Sequence, residues 1–126
     1  MFDLQSVGPL DLEEAGIFTW NVCSDLCFGD SSVALLYDFP LEMAISGQTM
    51  AAYLSRIHPD DLAAVARAMH DAIASRGSYC VEYRVRGALG VYRQVASYGR
   101  CFESADCEST QFAGIIYPVE PRFPFQ

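Results

Sequence analysis

The chain has 126 residues, 52% of them hydrophobic and 19% charged, which is one domain's worth of globular composition and not that of a disordered segment. Sixteen carboxylates oppose eight basic residues, all of them Arg, for a formal net charge of −8. Such a surface repels phosphate backbones and anionic lipid, so neither nucleic acid nor a membrane is an expected partner.

Residues 1–14 read as an acidic N-terminal helical arm, with Phe2, Leu4, Val7, Leu10 and Leu12 apolar and a break at Gly8-Pro9. The arm lacks the basic start and apolar run of a secretion signal, and no stretch reaches the ~18–20 apolar residues of a membrane span. The cytoplasm is the expected compartment. Alternation and aromatic content predict a strand from Ile17 to Val22, with Leu26-Cys27-Phe28 as its hairpin partner after a turn ending at Asp25. Asp30-Ser31-Ser32 is a cap signal for a short helix from Val33 to Tyr37. Phe39-Pro40 ends it, because the residue before proline avoids the helical region. Residues 41–48 are expected as a loop or single turn, and Thr49 caps a second short helix from Met50 to Ile57.

His58-Pro59-Asp60-Asp61 reads as a turn that opens a long helix from about Asp60 to Ser75. Pro59 suits the first helical position, and the two carboxylates suit the positive end of the helix dipole. The apolar stripe is Leu62, Val65, Met69 and Ile73, and Arg76-Gly77 is the stop. Three strands follow: Tyr79 to Arg86, Val91 to Phe102 after a hairpin loop at 87–90, and Gln111 to Val119 after a polar loop. Two prolines in the 120–126 tail forbid further helix. This order predicts one α+β domain over residues 15–119, a five-stranded antiparallel sheet with short helices and one longer helix on one face. The first hairpin is expected near the sheet centre, with the last three strands beside it.

Three words in this order carry a family resemblance. Gly16-Ile17-Phe18-Thr19-Trp20-Asn21, Ile57-His58-Pro59-Asp60-Asp61 and Glu82-Tyr83-Arg84-Val85-Arg86 resemble the opening strand, the I-H-P-D-D turn and the E-Y-R-V-R strand of a PAS domain with PAC-type C-terminal strands. The resemblance covers residues 15–119. It implies a PAS fold shaped like a cupped hand, used as a small sensor or interaction module in signal transduction. Family members hold haem, flavin, a carboxylate or nothing, and many dimerise through the outer sheet face with an N-terminal helix. Departures occur at Leu89-Gly90, where the family has Asp-Gly, and at Arg93-Gln94, where it has Arg-Trp. The final strand ends in Pro118-Val119-Glu120 where the family has an Asp-Ile-Thr-like word leading into a linker helix. A stand-alone PAS protein without a fused output is the resulting expectation.

No cofactor is predicted. Haem needs an axial ligand, most often His. His70 stands on the long helix where some family members place one, but it lies one residue past the apolar stripe and reads as solvent-facing; His58 reads as a cap. A light-sensing flavin adduct needs a Cys on the short helix, and residues 49–57 contain none. The five cysteines, at 23, 27, 80, 101 and 107, lack zinc-type spacing, so no metal is predicted. They read as small reduced thiols, with a Cys101–Cys107 redox pair as the sharper alternative. No nucleophile elbow or catalytic constellation is present, and Asp60-Asp61 and Glu13-Glu14 read as caps and a solvated face, so no enzyme activity is expected.

Leu36, Leu54, Ile57, Val65, Met69, Ile73, Val81, Tyr83, Val85, Val95 and Phe112 are predicted to face the space between sheet and helices, with Ser97, Tyr83 and Arg56 as polar handles. They either fill the core or line a small-molecule pocket. On the outer sheet face, Tyr92, Gln94, Tyr98, Ile115 and Tyr117 form an aromatic patch with a polar rim. The arm, through Phe2, Leu4 and Leu10, is expected to cover it in the same chain or in a second copy. Two functions follow. One is an adaptor acting through protein–protein interaction, a homodimer with a signalling partner such as a kinase or regulator. The other is a sensor that holds a small-molecule ligand in the hollow.

Overall fold

Residues 14–103 and 110–119 are described in the computed structural model of the chain. The predicted arm with Phe2, Leu4 and Leu10, the residue Cys107, and the 120–126 tail lie outside them. Alternating side chains form β1 (Gly16–Asn21), which pairs antiparallel with β2 (Leu26–Gly29). The turn between them holds Asp25 at a φ of 53°, a left-handed conformation that Asp tolerates. Asp30 then joins strand to helix. Its Oδ1 accepts from the Val33 N–H at 3.0 Å as the cap of α1 (Ser31–Tyr37), and its Oδ2 accepts from the Ile17 N–H at 3.0 Å.

Two short helices differ from expectation. The segment after Pro40 is not a loop but α2 (Leu41–Ser46). Pro40 stops α1, yet its fixed φ of −56° also suits a helix start, and its carbonyl accepts from the Met43 and Ala44 N–H groups. The next helix, α3 (Met50–Leu54), is capped by Thr49 Oγ1 on the Ala52 N–H and ends three residues early. Ile57 leaves the helix to pair with Val85. In α4 (Pro59–Ser75), His58 Nδ1 accepts from the Asp60 N–H at 3.0 Å. The buried stripe of α4 includes Val65 and Ala72, whereas Leu62 is exposed: the Asp61–Arg84 pair draws the first turn to the sheet margin. Arg76, not Gly77, takes the left-handed cap at φ 54°, and the two N–H groups bond back to Ile73 and Ala72.

β3 (Ser78–Arg86), β4 (Tyr92–Glu103) and β5 (Thr110–Pro118) complete an antiparallel sheet of order β2-β1-β5-β4-β3. The first hairpin is therefore not central. β5 is, with β1 on one side and β4 on the other. Its apolar run Phe112-Ala113-Gly114-Ile115-Ile116, narrow at Ala113 and Gly114, suits a strand paired along both edges. Register puts Trp20, Phe112, Cys101 on one level of the inner face and Phe18, Gly114, Gly99, Tyr79 on the next.

Each free edge of the sheet meets a single pairing residue, Gln48 against Cys27 of β2 and Ile57 against Val85 of β3. Residues 48–57 therefore run from one margin of the sheet to the other, carrying α3 across the inner face. Among the described residues, no helix is long and apolar enough to cross a membrane.

Candidate functional site: the hollow between sheet and helices

The inner sheet face and the helices enclose a hollow of about 40 Å³. The floor is built by period-two alternation: Phe18 and Trp20 from β1, Cys27 from β2, Phe112 and Ile116 from β5, and Tyr79, Tyr83 and Ser97 from β3 and β4. The roof comes from Val33 and Tyr37 of α1, Met50, Tyr53 and Leu54 of α3, and Val65 and Met69 of α4, with Ile57 between the last two helices. Trp20 stacks on Phe112 with centroids 5.4 Å apart, and the rings of Tyr37 and Phe39 both meet Tyr53 edge-on at 5.0 Å.

The polar atoms here are hydroxyls and one thiol. Tyr37 Oη and Tyr83 Oη share a hydrogen bond of 2.8 Å, and Tyr79 Oη and Ser97 Oγ one of 3.1 Å; either atom of each pair can donate. Tyr53 is 4% exposed and its hydroxyl has no hydrogen-bond partner. The Cys27 thiol is near enough to that hydroxyl to feel it, but no hydrogen bond closes between them. Burial pushes the Cys27 thiol up to about 12 and the Tyr83 phenol up to about 12, and it raises Tyr37, Tyr53 and Tyr79 as well. The hollow is a medium that penalises negative charge.

Of the residues expected to face this space, Leu54, Ile57, Val65, Met69, Tyr83, Ser97 and Phe112 are on its wall. Leu36, Val85 and Val95 are not: they are buried in the core away from it, and Ile73 and Val81 pack half-buried against that core. Arg56 is not a handle for the hollow either, since its guanidinium lies over the Phe39 ring at 4.9 Å. Sequence reading missed Phe18, Trp20 and Ile116, which the inward parity of β1 and β5 would have found. It also missed Tyr37, Tyr53, Tyr79 and Cys27, whose convergence depends on chain segments far apart.

His70 is exposed on α4 and off the wall, and His58 meets Tyr92 ring to ring at 4.8 Å. Cys101 is buried, while Cys23 and Cys80 are exposed. Among the described residues, no group of three or more His, Cys, Asp or Glu is placed to hold a metal. On the outer face, Ile17, Ile115 and Tyr98 stand in one register row across β1, β5 and β4, with exposures of 62%, 39% and 52%. Tyr92 is exposed and Tyr117 half-buried, and Gln94 Nε2 donates to Glu82 Oε1 at 3.4 Å.

An antiparallel five-stranded sheet cupped by short helices around a small hollow defines an α+β domain built around an interior site. The chain matches the family model of the PAS fold over residues 28–116, and it belongs to that family. It is similar to a sensory box histidine kinase/response regulator from Burkholderia thailandensis, with 27% identity and a TM-score of 0.70, covering 84% of this chain and 77% of that one. It also resembles a putative light and redox sensing histidine kinase domain from Haloarcula marismortui (17% identity, TM-score 0.70, 92% and 96% covered). A third likeness is to the N-terminal domain of a diguanylate cyclase with PAS/PAC sensor from Marinobacter aquaeolei (14% identity, TM-score 0.71, 82% and 94% covered). Among curated proteins, none matches the chain. The fold is that of a PAS signalling sensor module.

Proposed function

We propose that the chain is a non-enzymatic sensory module whose input is a small molecule held between the sheet and the helices. The carrying observation is the Tyr53 hydroxyl, buried and without a partner on the wall of the hollow. A buried O–H left unpaired is costly, and a bound molecule supplies what it lacks. The aromatic and apolar lining around a few polar groups is the usual composition of a ligand site. Native mass spectrometry tests this on protein purified without small additives. The expected result is a mass excess that vanishes on denaturation. A chain that travels at its own mass, and takes up no member of a fragment library by ligand-observed NMR, would overturn the reading.

The outer face favours a second role alongside the first. Ile17, Ile115 and Tyr98 form an exposed apolar row across three paired strands, a composition suited to a partner surface. The reading assigns this face to a homodimer or to a signalling protein such as a kinase or regulator. Analytical ultracentrifugation of wild type against Tyr98→Asp and Ile115→Asp tests it, the expected result being a dimer that the substitutions dissociate.

A further inference from the structure

The hydroxyls on the wall can be counted by their protons. Tyr37 and Tyr83 share one hydrogen bond, Tyr79 and Ser97 share another, and Ser97 also stands beside Tyr83. These four hydroxyls carry four protons, and a row of four closes at most three links, each using one proton. At least one proton is left over. Tyr53 adds a second, since its hydroxyl has no partner. The wall therefore has donors to spare.

It has no charge to match. The lining residues are apolar, aromatic, hydroxyl or thiol, with no Arg, His or carboxylate among them. An anion placed there would lose its water and gain no counter-ion. Size adds a third limit. A hollow of about 40 Å³, at roughly 10–15 Å³ for each water-sized group, admits about three or four such groups.

We infer that the hollow takes a small uncharged oxygen compound, a short alcohol or diol, whose oxygen accepts a hydrogen bond from Tyr53 Oη while its carbons lie against Leu54, Met69 and Phe112. This rests on the ligand-sensing reading and gives that reading a chemical class.

The test follows the methyl resonances of Met50 and Met69 in the full chain by NMR. Three probes within that size are used: ethane-1,2-diol, acetate at pH 7, and xenon under pressure. Xenon enters an apolar hollow without hydrogen bonds and so reports the space alone. The expected result is saturable diol binding, about tenfold weaker in Tyr53→Phe, which is one hydrogen bond's worth. Acetate should leave the methyls unmoved, and xenon should move them in both proteins, which also shows that Tyr53→Phe keeps its fold. If xenon enters but the diol does not, or the diol binds Tyr53→Phe equally well, or acetate matches the diol, the ligand class is wrong and the hollow stands. If xenon leaves the methyls unmoved as well, the sensory reading fails with it.

Discussion

Asp25 and Met50 are joined by a 3.0 Å hydrogen bond from the Met50 N–H to Asp25 Oδ1, and the same oxygen accepts from Trp20 Nε1 at 3.0 Å. One carboxylate oxygen thus fastens the β1–β2 turn to the first residue of α3, which roofs the hollow. Hydrogen bonds to a charged acceptor contribute about 1.5–3 kcal/mol each, so Asp25→Ala should lower stability by roughly 2 kcal/mol or more. Asp25→Asn keeps an acceptor oxygen and tolerates the left-handed backbone, so its cost should be clearly smaller. Urea denaturation followed by the fluorescence of Trp20, the single tryptophan, reads both. Equal losses in the two variants would count against the fastening.

Asp61 gives stability a pH dependence. Its carboxylate accepts from Arg84 Nε and Nη2 at 2.9 Å and from the Arg84 N–H at 2.8 Å. Hydrogen bonding to the Arg84 guanidinium, ahead of the backbone bond and the charge attraction, holds this carboxyl below the usual range. A folded value below the unfolded value of about 3.9 means that the contribution is complete above that pH. It is lost as pH falls through the lower folded value. The urea midpoint of the wild type should therefore drop on acidification below about pH 4, and Asp61→Asn should drop less over the same window. The pair is partly exposed, so added salt should shrink the difference at neutral pH. Parallel curves for the two proteins would refute the assignment.

Most of the succession of elements was legible because turn chemistry and period-two alternation are local signals, clear at Gly29-Asp30, Arg76-Gly77 and along Val81, Tyr83 and Val85; α2 was not, because Pro40 stops one helix and starts the next. The placement of β5 at the centre was not, since pairing partners are chosen by whole strands and not by their own residues. Likewise Tyr37 and Tyr83 are 46 positions apart and meet only because α1 folds over β3. Alternation told which face Tyr83 occupies. It could not tell which hydroxyl waits there, nor that Tyr53 finds none.

Gly114 and Gly99 face each other across β5 and β4. A side-chain carbon on Gly114 would run into the Tyr98 carbonyl and stand 2.7 Å from Gly99 Cα and 3.0 Å from the Phe18 ring. Two of those neighbours are backbone, which cannot swing aside. Gly114→Ala should therefore cost about 1–3 kcal/mol through overpacking. Thermal unfolding measures the loss, and an unchanged melting temperature would mean the strands separate more easily than the register implies.

The cysteines should divide by burial. With its thiol pushed up to about 12, Cys27 exposes only about one thiolate in ten thousand at pH 8, and burial raises Cys101 in the same direction. Iodoacetamide on the native protein should label the exposed Cys23 and Cys80 first, with Cys27 and Cys101 labelled only after unfolding. Peptide mass mapping over time resolves the four sites. Labelling of Cys27 at the rate of Cys80 would mean that water has free access to the wall of the hollow.

The single pairings of Gln48 with Cys27 and of Ile57 with Val85 make the segment between them a tie-rod. Four interstrand spacings, about 19 Å along the sheet, separate the two edge strands that it joins. Any change in the position of α3 has to be accommodated between two backbone pairings, one on each edge strand of the sheet.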